Sequence, residues 1–182
     1  MKRFEMRFSG SGGQGVILAS VIFAEAAVIA DMNAVQSQAY GPEARGGMCK
    51  AEAILSNEQI WFSKVVLPDF LLALTQKSLD AFAFGTAEDC IILADESLTV
   101  PEGLGGRKVY QLPILRAAAE QVGKAMTANI VAVGAINALL KLFSDDVITE
   151  AVRRHIPAGT EALNEKALRV GRELAQGLAA GD

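Results

Sequence analysis

The sequence predicts an α/β domain in three layers, with a mainly parallel sheet flanked by helices. Short apolar runs typical of strands alternate along the chain with longer helical patterns. A glycine-rich turn joins the first predicted strand to the first predicted helix. No repeat, low-complexity segment or change of composition marks a boundary, so residues 1–182 are expected to form a single domain.

The strands are predicted from alternating or continuous apolar runs bounded by turn residues. They cover residues 3–8, 33–38, 48–56, 69–74, 90–94 and 108–112. A further short strand within residues 57–66 is expected to form an antiparallel hairpin with the third strand, near residues 48–66. Helices are predicted over residues 15–30, 75–84, 115–122, 129–143 and 160–178. Ser144 is expected to cap one more helix.

Composition excludes several classes of function. The chain is 51% hydrophobic and carries a net charge of −4, with its Lys and Arg residues scattered, so no nucleic-acid partner is expected. No apolar stretch reaches the ~18 uninterrupted residues of a membrane span. The start "MKRFEMRF" lacks the apolar region of an export signal, which predicts a cytoplasmic location. The apolar excess is typical of a chain whose surface a partner partly covers.

The potential metal ligands are few and far apart. Cys49 and Cys90 cannot form a C-x-x-C motif, and His155 is the only histidine. We therefore expect no metal site and no catalytic residue set in this chain alone. The two cysteines are predicted to be inert core thiols, and His155 to be a solvent-facing residue near the end of a helix.

The stretch "FSGSGGQGV" carries the most informative spacing in the chain. Gly10, Gly12 and Gly15 satisfy G-x-G-x-x-G, and Gly13 and Gln14 lie between them. Backbone amides of such a loop and of the following helix suit a phosphate or a carboxylate. Three interpretations remain open: a dinucleotide site, a tight structural turn, or a loop that faces a ligand or a partner subunit. The first is weakened because the second strand ends in Gln-Ser-Gln instead of an acidic residue.

The loop "YGPEARGG" follows the second predicted strand. Arg45 is flanked by small residues and precedes Gly46 and Gly47, so its guanidinium is suited to bidentate binding of a carboxylate or phosphate. An ordinary salt bridge with Glu43, or an interaction with a helix end, is the alternative. Loops after successive parallel strands meet at the carboxyl edge of a sheet, so this loop and the glycine loop are expected to be neighbours.

Together these two loops resemble the gamma subunit of 2-oxoacid:ferredoxin oxidoreductases. Three further segments fit the resemblance in the same order along the chain: "PDFLLAL" from Pro68, "ANIVAVGAINALL" from Ala128 and "NEKALRVG" from Asn164. The likeness therefore covers nearly the whole chain. The Tyr-Gly-Pro form of the second loop favours the gamma subunit over the beta subunit of indolepyruvate oxidoreductase, which remains an alternative.

The resemblance implies an enzyme complex that converts a 2-oxoacid to acyl-coenzyme A and reduces ferredoxin. In this family thiamine diphosphate lies between alpha and beta subunits, and a ferredoxin-like delta subunit carries the [4Fe-4S] clusters. The gamma subunit is not catalytic alone. Its glycine loop and its Arg45–Gly47 loop would contact either coenzyme A or another subunit. The alternative from a different class is a stand-alone Rossmann-type oxidoreductase.

Three other features have two interpretations each. Trp61 and Phe62 indicate either the core of the predicted hairpin or an interface. Asp95 and Glu96 follow a strand where ligand-contacting acids occur, although a simple turn is favoured. Asn129, in an apolar helix, needs a hydrogen-bond partner. It is expected either to cap that helix or to face a subunit.

Overall fold

The structure is a computed structural model that describes residues 2–40 and 47–179. Its centre is a six-stranded sheet in the order β2-β3-β1-β4-β5-β6. The strands are β1 (Phe4–Ser11), β2 (Asn33–Tyr40), β3 (Met48–Ser56), β4 (Phe70–Ala73), β5 (Ile91–Asp95) and β6 (Lys108–Leu112). Each predicted strand from residues 3 to 56 and from 69 to 112 is present within a few residues of its expected bounds.

The sheet is mainly parallel, as predicted. β1 pairs in parallel with β4, β4 with β5, and β5 with β6. β3 lies antiparallel to both β1 and β2, so β2 runs in the same direction as β1. Only β3 runs against the others, and the carboxyl ends of the other five strands meet at one edge. We call this the carboxyl edge.

Six helices flank the sheet. They are α1 (Val16–Ile29), α2 (Gln76–Phe82), α3 (Ile114–Ala117), α4 (Ala128–Leu140), α5 (Asp145–His155) and α6 (Glu161–Ala179). The chain continues α3 as a π-helical turn over Ala118–Val122, which explains the single longer helix predicted there. Ser144 caps α5 as expected, because its side chain accepts a hydrogen bond from the Val147 amide. No helix within residues 2–40 and 47–179 is long and apolar enough to cross a membrane.

The predicted hairpin near residues 48–66 is wrong in its second strand. β3 has the expected bounds and is antiparallel to its neighbours, but residues 57–66 form no strand. Both edges of β3 are already paired, one with β1 and the other with β2, so no edge remains for another strand. The apolar run in residues 60–67 therefore has a different role from hairpin core.

Two apolar clusters lie on opposite faces of the sheet. The larger contains Met6 and Phe8 of β1 with α1, α3, α4, α5 and α6. The smaller contains Leu71 and Ala73 of β4 with α2. Strand side chains alternate between the two faces, so neighbouring residues of β4 enter different clusters. The expected three layers are present, with most of the helical mass on one face.

A charged cluster is buried on the α2 face. Arg7 and Glu52 are each 7% exposed, and Arg7 Nε lies 2.8 Å from Glu52 Oε1. Lys50 Nζ lies 3.1 Å from the same oxygen, and the Arg7 guanidinium lies 5.3 Å from the centre of the Phe82 ring. The two buried charges, Arg7 and Glu52, compensate each other, and the Lys50 side chain, which shares the carboxylate, remains 30% exposed.

Candidate functional site

The glycine loop lies at the carboxyl edge, between β1 and α1. Gly10 is the seventh residue of β1, and residues 12–15 form the turn that leads into α1. Gly13 has φ of +97° and Gly15 has φ of +72°, which are conformations that glycine adopts with little strain. The Gln14 side chain closes the turn, since Gln14 Oε1 accepts a hydrogen bond from the Ser11 amide at 2.8 Å.

The end of the second loop contacts the glycine loop directly. The Gly12 amide donates a hydrogen bond to the Gly47 carbonyl at 3.0 Å, and Gly47 is buried. Gly47 therefore lies beside the glycine loop at the carboxyl edge, in agreement with the expectation that the two loops meet, even though β3 separates β1 from β2. Arg45 and Gly46 lie outside the described residues, so only Gly47 of the second predicted set has a place in the structure.

Asn129 packs against the glycine loop. Asn129 is the second residue of α4, and the N-cap position of this helix is occupied by Thr127. The alternative in which Asn129 caps this helix is therefore wrong. A β-carbon built on Gly15 would lie 2.5 Å from Asn129 Nδ2. Only a glycine leaves room for the amide at this position, which gives Gly15 a packing role in addition to its backbone conformation.

No hydrogen bond joins the Asn129 amide to another of residues 2–40 and 47–179, and its polar atoms keep access to the adjoining pocket although the residue as a whole is 5% exposed. An amide at the wall of a pocket bonds to water or to a bound group. Asn129 lines a pocket of about 300 Å³ beside the loop, so a bound group there would satisfy it.

The pocket combines an apolar wall with polar groups. Gly13 and Gly15 form one side, and the beginning of α4 and the segment between α5 and α6 form the others. The residues at its rim and walls also include Lys124, Met126, Thr127, Ile156, Pro157, Thr160, Leu163 and Asn164. Among the described residues that line it, Lys124 alone carries a charge. The pocket therefore suits a ligand with an apolar body and a negatively charged part.

The start of α1 adds to the positive character of this region. No side chain caps α1 at Gly15, and its first turn contains no acidic residue. The first amides of a helix have no partner within the helix and carry a partial positive charge. A phosphate or carboxylate near Gly13 would meet these amides without competition from a neighbouring carboxylate.

The acids after β5 do not belong to this site. Asp95 is 2% exposed, and its carboxylate accepts hydrogen bonds from Ser97 N, Ser97 Oγ and Leu115 N. Glu96 pairs with Arg116 at 2.9 Å. These contacts build a turn and hold the start of α3, which confirms the favoured structural interpretation.

The cysteines and the histidine have structural surroundings. Cys49 is 5% exposed and Cys90 is fully buried, and burial raises the pKa of the Cys90 thiol to about 11. His155 is the last residue of α5, and its Nε2 lies 3.5 Å from Glu25 Oε2 rather than facing only solvent. Within the described part of the chain, no three His, Cys, Asp or Glu side chains form a group that would hold a metal ion.

A second pocket, of about 400 Å³, lies between the end of α4, the beginning of α5 and the second half of α6. Its polar groups already have partners. Arg172 pairs with Asp145 at 2.9 Å, and the Asn137 amide makes two hydrogen bonds with the backbone of Phe143. It is therefore a weaker candidate than the pocket beside the glycine loop.

Three similarities to known proteins bear on this site. Residues 5–174 match the family described as pyruvate ferredoxin/flavodoxin oxidoreductase. The 2-oxoglutarate synthase subunit KorC of Methanocaldococcus jannaschii is 41% identical over 179 residues, covering 97% of this chain and 96% of KorC. The solved gamma subunit of a keto/oxoacid ferredoxin oxidoreductase from Geobacter sulfurreducens PCA has a TM-score of 0.87 at 41% identity, covering 97% of this chain and 98% of that one.

A longer relative shows another arrangement. The ketoisovalerate oxidoreductase subunit VorA of Methanothermobacter thermautotrophicus is 34% identical over 166 residues. These residues are 91% of this chain but only 34% of VorA. The sequence equivalent to this chain thus forms one segment of a polypeptide about three times as long.

Proposed function

Because this chain belongs to the pyruvate ferredoxin/flavodoxin oxidoreductase family, we propose that it is the gamma subunit of a multisubunit, thiamine-diphosphate-dependent 2-oxoacid:ferredoxin oxidoreductase. The observation that carries this proposal is the match to KorC over nearly the full length of both chains. The complex would oxidise a 2-oxoacid with coenzyme A to acyl-coenzyme A and CO₂. The two electrons released would reduce ferredoxin.

The proposed 2-oxoacid is 2-oxoglutarate. KorC, at 41% identity, is a subunit of a 2-oxoglutarate synthase, while the ketoisovalerate relative is 34% identical over a shorter region. The sequence alone left the 2-oxoacid open, since other subunits are expected to build most of the substrate pocket. The preference therefore rests on similarity along the whole chain and not on a substrate-binding residue.

The resident cofactors are assigned to alpha, beta and delta partner subunits. A four-iron cluster needs four thiolates, whereas this chain has two cysteines, both buried and with their thiol pKa values raised by burial. The residues present thus do not fit a cluster. For thiamine diphosphate, the assignment to the alpha and beta subunits follows from the family resemblance.

Coenzyme A is the ligand that best suits the pocket beside the glycine loop. It has diphosphate and phosphate groups for the amides at the start of α1 and for Lys124. Its pantetheine arm has amides that would pair with Asn129 and apolar segments that would contact Leu163 and Ile130. Arg45, in the neighbouring loop, is proposed to bind one of the phosphates.

The stand-alone dinucleotide enzyme is disfavoured by strand order. In a Rossmann site, the acidic residue that binds the ribose lies at the carboxyl end of the strand beside the first one. Here β1 lies between β3 and β4. The neighbour on the side of β2 is β3, which is antiparallel to β1 and begins at the carboxyl edge with Met48. The position where a Rossmann site has its ribose-binding acid is therefore occupied by the first residue of β3, Met48, which is not acidic.

Reconstitution with the other subunits tests the proposed function. The complete complex should reduce ferredoxin only when both coenzyme A and a 2-oxoacid are present, with 2-oxoglutarate preferred over pyruvate and ketoisovalerate. A complex that turns over without this chain at the same rate would contradict the proposal. Binding of a nicotinamide or flavin dinucleotide by the isolated chain at micromolar concentration would support the dinucleotide alternative instead.

The same assay tests the coenzyme A contact. Asn129→Ala and Arg45→Ala should each raise the KM for coenzyme A by about 10-fold or more, the loss expected for a hydrogen bond to a charged or buried group. The KM for 2-oxoglutarate should not change. Asn137→Ala is the matched control, because Asn137 lies on the same helix but bonds only to the Phe143 backbone. If the KM for coenzyme A is unchanged in both the Asn129 and the Arg45 variant, the two loops contact another subunit instead of coenzyme A.

A further inference from the structure

We propose that one exposed apolar surface of this chain docks the large subunit of the complex. This surface is formed by Trp61, Phe62, Val66 and Leu67. The large subunit meant here is the one that corresponds to the part of VorA that this chain does not match. We call these four residues the 61–67 patch. This inference rests on the proposed function, because it takes its partner from the same complex. It concerns a surface far from the glycine loop and needs no contribution from the pocket there.

The 61–67 patch exposes large apolar side chains in one short segment. Trp61 is 85% exposed, Phe62 57%, Val66 59% and Leu67 56%. Most other large apolar residues of the described chain are buried in the two clusters. A monomer rarely exposes contiguous apolar area of more than a few hundred Å², and larger patches mark interaction sites.

The segment that carries the patch is held in place by the first residues of β1 and by Arg3, which directly precedes that strand. Arg3 Nη1 donates to the Phe62 carbonyl at 2.8 Å, and the Val66 amide donates to Glu5 Oε2 at 3.2 Å. Arg3 Nε is itself fixed by Glu5 Oε1 at 2.7 Å. Between the exposed residues, Val65 is 4% exposed and anchors the segment to the interior.

These contacts use the backbone of the segment and leave its apolar side chains in solvent. A segment that merely failed to pack would not be fixed by the side chains of Arg3 and Glu5 at the beginning of a central strand. A preorganised surface loses less conformational entropy when it binds, so the arrangement favours docking. Trp is also the residue most enriched among those that dominate interface energies.

The position of the patch permits a partner there without blocking the pocket. Arg3 and Glu5 lie at the start of β1, whereas the glycine loop follows its end at Ser11. Eight residues of strand separate these edges by roughly 25 Å. One large subunit can therefore hold the 61–67 patch while the carboxyl edge remains available to a ligand.

The occupant follows from the longer relative. In VorA the equivalent of this chain is one third of a single polypeptide, so the remainder stays beside it covalently. A tether of this kind provides a millimolar effective concentration. In KorC, 96% of which this chain covers, the equivalent sequence is a subunit without such a tether. A subunit of that kind needs a noncovalent surface to hold the equivalent remainder, and an apolar patch supplies the required burial. Lys64, exposed within the same segment, would favour a partner with an acidic group at the rim.

The test measures association of the full chain with the purified large subunit of its own complex. Trp61→Ser and the double variant Trp61→Ser/Phe62→Ser should keep the thermal stability of the wild type, because the replaced side chains are in solvent. Their Kd for the large subunit should rise at least about 30-fold. Val28→Ser is the control, since Val28 is 58% exposed on α1 and lies outside the patch. Its Kd should stay within about twofold of the wild type.

The outcomes separate this inference from the proposed function. Binding by the wild type with no loss in the Trp61 variants would overturn the docking surface and leave the proposed function standing. Failure of the wild type to bind any subunit of the oxidoreductase would overturn both. If the isolated chain forms a homodimer that Trp61→Ser abolishes, the occupant is a second copy and the assignment to the large subunit is wrong.

Discussion

At the scale of single residues, the absence of a side chain at Gly15 lets Asn129, which is distant in sequence, pack directly against the glycine loop. Its φ of +72° disfavours any other residue, and a β-carbon there would overlap the Asn129 amide. Gly13 has a similar backbone conformation, with φ of +97°, but a β-carbon at Gly13 would meet nothing within 4 Å. Substitution of Gly13 therefore introduces backbone strain alone, whereas substitution of Gly15 introduces backbone strain and a steric overlap with Asn129.

We expect Gly15→Ala to lower the free energy of unfolding by about 2–4 kcal/mol, since backbone strain and overpacking add. Gly13→Ala should cost only about 1 kcal/mol, from strain alone. Urea unfolding followed by circular dichroism measures both. Equal losses in the two variants would show that Asn129 moves aside without cost.

At the scale of the elements, the contact between α4 and α6 depends on two glycines that face each other's helix. A β-carbon at Gly171 would lie 1.9 Å from the Val131 carbonyl oxygen, and one at Gly134 would lie 2.2 Å from the Leu168 carbonyl oxygen. The backbones therefore approach more closely than helices with larger side chains allow. This contact fixes α4, whose first turn carries Asn129 to the pocket.

Gly171→Ala should destabilise the protein by about 2–4 kcal/mol, because overpacking exceeds the ~1 kcal/mol that alanine gains in a helix. Gly177 provides the matched control, since it lies on the same helix and a β-carbon there would meet nothing within 4 Å. Gly177→Ala should be neutral or stabilising by up to about 1 kcal/mol. Thermal unfolding distinguishes the two, and a stabilising Gly171→Ala would contradict the close approach.

At the scale of the whole molecule, an ion-pair group joins α1 to α5 on the outer side of the larger cluster. Arg154 Nη1 lies 2.8 Å from Glu25 Oε1 and His155 Nε2 lies 3.5 Å from Glu25 Oε2. The hydrogen bond from Arg154 holds the pKa of the Glu25 carboxyl below its usual value of 4.5. The folded state therefore binds a proton at Glu25 less readily than the unfolded chain does.

This lowered pKa predicts how stability depends on pH. The contribution of Glu25 is fully present above the unfolded pKa and is lost as the pH falls through the lower folded pKa. The difference in unfolding free energy between the wild type and Glu25→Gln should thus shrink between about pH 6 and about pH 3. Since the pair is partly exposed, added salt should reduce the difference at neutral pH. A constant difference across this range would contradict the linkage.

Local sequence patterns were sufficient to predict the existence of most elements. β3 was expected over residues 48–56 and has these bounds, because alternation and flanking turns are local signals. Its partners were not predictable in the same way. Residues 57–66 have the composition of a strand, but pairing depends on which edges other strands have already occupied.

The candidate site was partly visible in the sequence. The glycine spacing marked the loop, and the contact between Gly12 and Gly47 agrees with the expectation that the two loops meet. The position of Asn129 against Gly15 was not accessible, because it depends on how α4 packs against α1 and α6. The only sequence signal was an amide in an otherwise apolar helix, which predicts a partner but not its location.

The exposure of Trp61 has a practical consequence for spectroscopy. It is the only tryptophan in the chain, and its indole is already largely surrounded by water in the folded protein. Unfolding therefore changes the surroundings of this fluorophore very little, whereas a partner that covers it would transfer it to an apolar environment. If the proposed partner covers Trp61, the tryptophan emission of this chain reports on assembly and not on folding.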